Sequence, residues 1–368
     1  LQTLIFMKVK DVTKYLESIA PLQLQESYDN SGLQVGDFNS EIKGVLVSLD
    51  VTMEVVEQAI EKKCNLIIAH HPVIFGELKN ITNQYLTGKI IYKAILNKIN
   101  IYAIHTNLDN IYNGVNAKIA EKIGLKKIKI LYPKSNLLKL AVFVPESHSN
   151  IVLNSLFEAG AGHIGKYQNC SFISSGEGSF KPESGAKPFI GEIGKLEKNR
   201  ENKIEVILPD FLLSKVIETM HSVHPYEEVA YDIFKVLNAA NTGSGMIGEL
   251  SKSYSELDFL KFLKNKFKAK GIRYTKLLNK KIKRVALCGG SGSFLLYKAM
   301  IQKADIFITA DLKYHQFFEA ENKILVADIG HYESEQYTIE LISDLLMKKF
   351  TNFAIRLTTV NTNPINYL

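Results

Sequence analysis

The fold of this 368-residue chain is decided by the stretch Leu66-Ile67-Ile68-Ala69-His70-His71-Pro72-Val73-Ile74-Phe75. Four consecutive apolar residues predict a buried strand, and two histidines and a proline follow directly. Because successive strand residues point to opposite faces, both imidazoles reach one site only if the chain leaves the strand here. Pro72 favours that exit, since it donates no ladder hydrogen bond and keeps His71 extended. Imidazoles at the carboxyl end of a buried strand lie where open α/β sheets usually bind ligands.

The composition, 46% hydrophobic and 23% charged, is typical of a globular protein with enough core for two domains. The formal charge of +7 is spread along the chain, with a modest concentration at 276–284. Since the sequence has no arginine-rich arm and no zinc-finger spacing, we do not expect nucleic acid as a partner.

The three cysteines, Cys64, Cys170 and Cys288, are odd in number and widely separated. This pattern argues against a disulfide framework or a thiolate zinc site and favours a reducing cytoplasm. No apolar run approaches the roughly 18 residues of a membrane span, so we expect no membrane partner. The opening six residues are too short for a signal peptide, and we interpret Met7 as the natural start.

Strand and helix patterns alternate at both ends of the chain, which predicts parallel sheets with crossover helices. The first end has predicted strands at 43–49, 66–69 and 101–104 and helices at 10–19, 53–63 and 88–97. The second has predicted strands at 282–287, 305–309 and 324–327 and helices at 294–303, 314–321 and 333–349. Overlaid, the three strand ends match in order, which indicates two related βα lobes over 7–126 and 245–368.

Between the lobes, residues 127–244 have a different pattern. Predicted strands, helices and a loop rich in glycine and proline follow one another as β-α-β, loop, β-α-β. This is the ferredoxin-like order and predicts an inserted α+β domain. A continuous second sheet is the alternative.

A metal-binding pattern emerges when the lobes are considered together. His331 and Glu335 are four residues apart and therefore share one face of a helix. If the repeat holds, five candidate metal ligands meet at one sheet edge: His70, His71, Asp109, His331 and Glu335. This set is too large for one tetrahedral ion and suits two divalent ions bridged by a carboxylate. Nitrogen and oxygen ligands fit zinc, manganese, iron or cobalt alike.

Other polar residues near the predicted edge are candidates for orienting ligands or moving protons. We take Asp311 and His315 as candidate catalytic residues and consider Asp29 and Asn107 as supporting groups. For Asp50 and Asn30 we prefer the interpretation of cap or turn residues.

Two motifs leave alternatives open. Gly289-Gly290-Ser291-Gly292-Ser293 is either a phosphate-binding turn or a tight strand-to-helix connection, and it lacks the P-loop lysine. His224-Pro225-Tyr226-Glu227-Glu228 is either a second ligand-binding edge or a turn before a strand.

Four further stretches resemble the Nif-three-like family, whose bacterial members are called GTP cyclohydrolase I type 2 homologues: Tyr28-Asp29-Asn30-Ser31-Gly32-Leu33-Gln34-Val35-Gly36, Ala69-His70-His71-Pro72, His105-Thr106-Asn107-Leu108-Asp109 and Gly330-His331-Tyr332-Glu333-Ser334-Glu335. The middle, through 165–172 and 224–228, is similar to the PII/CutA-like insert of the longer members. The resemblance implies a two-lobed α/β fold, a dinuclear metal site on the five ligands given above and a homohexameric toroid.

Three functions agree with these features. The first is a metal-dependent hydrolase of a nucleotide or phosphoester. The second is a non-catalytic metal-binding or metal-delivery protein, or a regulatory assembly whose insert senses a small molecule. The third is an interaction protein with structural metals.

Overall fold

The computed structural model describes residues 7–134 and 136–368, which divide into two units. The larger unit contains 7–133 and 242–368, and the smaller unit is Lys134–Asn241. The residues before Met7, on which the interpretation of the natural start depends, lie outside the described part of the chain.

The elements alternate between helix and strand through most of the larger unit. Its first segment contains α1 (Val9–Ile19), β1 (Gly32–Val35), β2 (Gly44–Ser48), α2 (Met53–Glu61), β3 (Leu66–Ala69), α3 (Leu86–Leu96), β4 (Asn100–Ala103), α4 (Thr106–Asp109), α5 (Val115–Ile123) and β5 (Lys126–Pro133). The smaller unit contains β6 (Asn136–Pro145), α6 (Ser149–Glu158), β7 (Ser171–Phe180), β8 (Glu197–Pro209), α7 (Leu213–Val223) and β9 (Tyr231–Ala239). The larger unit resumes with β10 (Gly243–Ser255), α8 (Glu256–Lys266), β11 (Arg273–Tyr274), β12 (Lys281–Ser291), α9 (Leu296–Ile301), β13 (Ile306–Ala310), β14 (Leu325–Asp328), α10 (His331–Glu335), α11 (Thr338–Lys349) and β15 (Ala354–Leu357).

The first sheet of the larger unit has the strand order β1-β4-β3-β2-β15. The last four are parallel neighbours, and β1 pairs antiparallel with β4. Every residue of β2, β3 and β4 is buried, as expected for parallel strands covered on both faces. Helix α2 begins at Met53, and the hydroxyl of its N-cap Thr52 accepts a hydrogen bond from the Val55 N–H at 3.4 Å.

The second sheet has the order β11-β14-β13-β12-β10-β5. Its centre is again a run of three parallel neighbours, β12, β13 and β14, while the outer strands pair antiparallel. Because the carboxyl ends of parallel strands lie at one edge, each sheet gathers the residues that follow its strands.

Several elements differ from the sequence-based prediction. Segment 333–349 is divided between two helices, α10 and α11, with Gln336 and Tyr337 between them. The side chains of Gln336 and Tyr337 donate hydrogen bonds to the carbonyls of Phe267 and Lys266, respectively, at 2.7 Å each. The predicted helix 314–321 is a 3-10 segment, Tyr314–Ala320. β1, which begins at Gly32 and is followed by Gly36, was not among the predicted strands, and its pairing with β4 makes it one.

The ends of the smaller unit also differ from the predicted 127–244. β5 pairs with β10 along much of its length, with Ile130 opposite Met246, so this hairpin-like pair lies in the larger unit. The smaller unit has one antiparallel sheet of order β7-β8-β6-β9, with α6 and α7 contributing to its core. In the described part of the chain, no helix combines the length and the apolar character needed to span a membrane.

Gly36, directly after β1, provides a test of this packing. Its φ is +120°, and a Cβ there would lie 2.1 Å from the Oδ1 atom of buried Asn100. That oxygen accepts the Asp37 N–H at 2.9 Å, and the Asn100 amide donates to the Asn65 carbonyl at 2.9 Å. We expect Gly36→Ala to lower the free energy of unfolding by more than about 2 kcal/mol, because it combines an unfavourable φ with a steric clash.

The measurement is urea denaturation of the full chain, and the quantity compared is the midpoint of the transition in which the larger unit unfolds. Gly76→Ala is the matched control, since a Cβ at Gly76 meets open space. Equal midpoints for the two variants would contradict the prediction.

Candidate metal centre

Polar side chains from both sheets of the larger unit converge at the carboxyl ends of the parallel strands. His70 and His71 follow β3, and His105 follows β4. Asp109 ends α4, and His331 and Glu335 begin and end α10 after β14. The chain leaves β3 at Ala69, as the two adjacent histidines require, and their ring centroids lie 4.9 Å apart.

Each of the four imidazoles has its Nδ1 atom held by an oxygen. The pairs are His70 with the Ile104 carbonyl at 2.8 Å, His71 with Asp50 at 2.7 Å, His105 with Asp29 at 2.7 Å and His331 with Asp311 at 2.6 Å. Such bonds fix the ring orientation and leave Nε2 as the nitrogen available to a metal, an arrangement typical of histidine ligands.

The remaining ligand atoms form three overlapping groups, in each of which all atoms lie within 4.8 Å of one another. The groups are His70, His71 and His105; His71, His331 and Glu335; and His70, Asp109 and Glu335. Glu335 Oε2 lies 2.9 Å from His71 Nε2 and 3.0 Å from His331 Nε2. The last two groups therefore share one carboxylate.

Two atoms of this cluster show that its residues fit a metal ion. His70 Nε2 and Asp109 Oδ1 are buried without a hydrogen-bond partner and lie 3.7 Å apart. An unpaired buried polar atom costs about 1–3 kcal/mol, so a pair of them facing each other needs a compensating ligand. A divalent cation between a nitrogen and a carboxylate oxygen would provide it.

The charged groups of the cluster strongly affect one another's pKa. The Glu335 carboxylate raises the pKa of His331 to about 11 despite burial. Burial opposes protonation of His71 as well, but hydrogen bonds to Asp50 and Glu335 raise its pKa to about 9. Protons on these rings neutralise the buried carboxylate when no cation does. Metal binding at neutral pH therefore releases protons.

His70, which is fully buried, and Asp109, whose Oδ1 atom is buried, respond differently. Burial lowers the pKa of His70 to about 3, so its ring is neutral and able to bind a metal. Burial and then the Glu335 carboxylate raise the pKa of Asp109 well above its usual range. A nearby cation would favour the deprotonated form of both groups, the ionised Asp109 carboxylate and the neutral His70 ring.

Gly290, in the glycine-rich turn, makes room for Glu335. A Cβ at Gly290 would lie 2.5 Å from Glu335 Oε1. The N–H groups of Gly289, Gly290 and Gly292 donate to side chains of Asn116, Ser334 and Thr309 at 2.9–3.0 Å. Since these donors already have partners, the geometry favours the tight-turn interpretation of this motif over a phosphate-binding turn.

The structure brings all five candidate ligands together. The candidate catalytic residues Asp311 and His315 lie outside these ligand groups. Asp311 contacts His331 Nδ1 and is half-exposed. His315 is exposed on the Tyr314–Ala320 turn, in ring contact with Tyr314 and Phe318.

Sequence reasoning missed three members of the site. Asp50 was interpreted as a cap or turn residue, but its carboxylate holds His71. His105 was not named as a ligand, and Asp29 was considered only as a general supporting group. The signal available for His105 and Asp50 was their position directly after a buried strand.

A cavity of about 450 Å³ opens beside the cluster. Its walls include the rings of Tyr28, Phe75 and Phe294 and the C-terminal residues Asn363 and Ile365. This volume lies within the range of small-molecule sites.

The C-terminal segment after β15 reaches the centre through Thr362. Its hydroxyl donates to Asp50 Oδ2, while Asp50 Oδ1 holds His71. Asn363 donates to Glu333 Oε1 at 3.1 Å, which keeps this segment next to α10. Thr362 therefore fixes the carboxylate that orients a candidate ligand.

Comparison with known proteins agrees with this architecture. The model of the Duf34/NIF3 (NGG1p interacting factor 3) family matches residues 7–364. A Bacillus subtilis protein named GTP cyclohydrolase 1 type 2 homolog is 40% identical over 367 residues, covering 98% of each chain. A Staphylococcus aureus protein of the same name is 37% identical and covers 98% of this chain and 100% of its own. The crystal structure of a Bacillus cereus protein related to NIF3 has a TM-score of 0.82 and 37% identity, covering 99% of this chain and 100% of that one.

The contact between Thr362 and Asp50 generates a prediction. Thr362→Val removes the hydroxyl but keeps the shape of the side chain, so we expect Asp50 to hold His71 less firmly. Loss of such a supporting bond lowers metal affinity by about 10-fold or more. Isothermal titration of metal-free protein with Zn²⁺ or Mn²⁺ measures this change.

Thr362→Ser is the matched control, because it keeps the donor and should bind metal with nearly unchanged affinity. If the valine and serine variants bind equally well, Thr362 does not support the centre.

Proposed function

The chain belongs to the Duf34/NIF3 family, as its four motifs predicted, and on this basis we propose that it is a metal-dependent hydrolase of a nucleotide or phosphoester. The observation that carries the proposal is the pair of unpartnered buried atoms, His70 Nε2 and Asp109 Oδ1, within a cluster of oriented imidazoles. The cyclohydrolase name printed for relatives supports a nucleotide as the substrate class.

We propose that the centre holds two divalent ions. His71, His331 and Glu335 would hold one, and His70, Asp109 and Glu335 would hold the other, with the Glu335 carboxylate common to both. His105, in a group with His70 and His71, is available as an additional ligand. Two ions held by these residues would supply an activated water molecule and polarisation of a phosphoryl or carbonyl oxygen.

The protein's own residues prepare this chemistry. Asp50 and Asp311 hold His71 and His331 in place, so the ligand geometry exists before a substrate arrives. Asp311 is half-exposed, and we assign it the role of a positioning group that accepts a hydrogen bond from the His331 ring. The aromatic walls of the cavity offer stacking surfaces for a planar base.

Three features of the wider architecture belong to the same proposal. We propose that the two sheets of the larger unit are related lobes, because the parallel run β4-β3-β2 of the first sheet has the same strand order as the parallel run β14-β13-β12 of the second. We propose that the smaller unit is a ferredoxin-like, PII/CutA-like insert, which its βαββαβ element order and antiparallel sheet support. The family resemblance supports a homohexamer, which analytical ultracentrifugation would test.

The number of bound ions is the first measurement. We expect about two first-row metal ions per chain in untagged protein by mass spectrometry, since two ligand groups share Glu335. Glu335→Ala removes the shared ligand and should leave less than about one ion per chain.

Glu319→Ala, at an exposed position outside the ligand groups, is the control and should keep the full content. A metal content near zero in the unaltered protein, or one unaffected by Glu335→Ala, would reject the dinuclear centre.

Turnover separates a hydrolase from a metal-delivery protein. With metal-loaded protein, we expect release of product from GTP or from a phosphoester panel, and its loss in Glu335→Ala. Asp311→Asn should keep its metal and lower kcat by about 10-fold or more, because the His331 ring loses its carboxylate partner.

Chromatographic product assays at matched metal occupancy measure this effect. Full metal content without turnover on any of these substrates would favour the metal-binding alternative. Unchanged turnover in Glu335→Ala would reject catalysis at this centre.

A further inference from the structure

The smaller unit contains a cavity of its own, separate in sequence from the metal ligands. Its volume is about 310 Å³, and its walls come from β6, β7, the loop between β7 and β8, β8 and the segment 226–230. The lining includes Phe143, Phe180, Phe189, Glu201 and Tyr226. The last three residues of the His224-Pro225-Tyr226-Glu227-Glu228 motif, which the metal centre does not use, therefore form one wall.

His224 fixes the shape of that wall. Its Nε2 donates to the Phe143 carbonyl at 3.1 Å, and its Nδ1 accepts the Tyr226 N–H at 3.1 Å. These two bonds require a neutral ring, in agreement with burial, which lowers the pKa of His224. The histidine is thus structural, and it sets the position of Tyr226.

Tyr226 is the centre of a group of three aromatic rings. Its ring centroid lies 6.0 Å from Phe180 and 6.3 Å from Phe189, with interplanar angles of 58° and 52°. The faces of aromatic rings are electron-rich, and all three of these rings lie in the lining of the cavity. Such faces attract organic cations, whose weak hydration makes them easy to transfer from water.

The polar groups of the cavity are mostly acidic. Glu201, Glu227 and Glu228 line it together with a single ammonium group, Lys181. Glu201 Oε1 accepts the Tyr226 hydroxyl hydrogen at 2.7 Å, so this carboxylate is fixed against the aromatic wall. Its position depends on Gly178, since a Cβ there would lie 2.3 Å from Glu201 Oε2.

We propose that this cavity binds a small organic cation, an alkylammonium or quaternary ammonium compound. The aromatic rings and the fixed carboxylate attract the same charge. An anion such as a phosphate would be repelled by three carboxylates, and a hydrated metal ion would gain little from the rings. This site would give the smaller unit a ligand chemistry different from that of the metal centre.

The test compares two probes of nearly equal shape on the full chain. Choline carries a quaternary ammonium, and 3,3-dimethylbutan-1-ol replaces its nitrogen with carbon. We expect saturable choline binding by isothermal titration or ligand-observed NMR, with the neutral analogue at least about tenfold weaker. Equal affinity for both probes, or no saturable choline binding up to roughly 10 mM, would overturn the proposal.

Variants locate the binding. Glu201→Gln keeps the side-chain size and removes the charge, and we expect choline affinity to fall by about tenfold. Phe189→Ala, which removes one ring, should weaken choline more than the neutral analogue. Glu158→Gln, at an exposed position of α6 outside the cavity, should change nothing.

Circular dichroism confirms that each variant is folded before its affinity is measured. Glu335→Ala should bind choline as the unaltered protein does, because it alters only the metal centre. Unchanged choline affinity in folded Glu201→Gln would overturn the proposed role of the carboxylate and with it the site.

Discussion

Four imidazoles in the larger unit share one constraint, because each has its Nδ1 atom bonded to an oxygen and only its Nε2 atom left for a ligand. Three of those oxygens belong to the carboxylates Asp29, Asp50 and Asp311, and the fourth is the Ile104 carbonyl. Rings held in this way lose their freedom to rotate before a metal arrives, so binding does not have to order them. The arrangement of the strands around the centre is what places these oxygens correctly.

The same cluster lowers the stability of the folded protein. Glu335 is buried, and the buried atoms Asp109 Oδ1 and His70 Nε2 have no hydrogen-bond partner. Protons on His71 and His331 compensate part of the negative charge. Such a concentration of buried polar groups is characteristic of functional sites, where stability is sacrificed for binding or chemistry. A bound cation would convert this local cost into stabilisation.

The two units present contrasting chemistry. The centre of the larger unit has imidazole and carboxylate ligands beside a cavity with aromatic walls. The cavity of the smaller unit is lined by aromatic rings and carboxylates. His224 uses both of its ring nitrogens in hydrogen bonds to backbone groups, so neither nitrogen is available to a metal. Similar residue types therefore serve different purposes, according to which atoms remain free after local hydrogen bonds form.

The sequence by itself determined the alternation of strands and helices, the family and the five residues that the structure brings together. Buried parallel strands leave a strong signal, a continuous apolar run followed by polar residues, and His70, His71 and Asp109 follow such runs. Only the tertiary structure decided that Asp50 orients His71, that Thr362 holds Asp50 across more than 300 residues of chain, and that His105 joins the cluster. It also assigned β1 to a sheet and showed that His224 is structural. These roles depend on distances between residues far apart in the chain, and local periodicity carries no information about such distances.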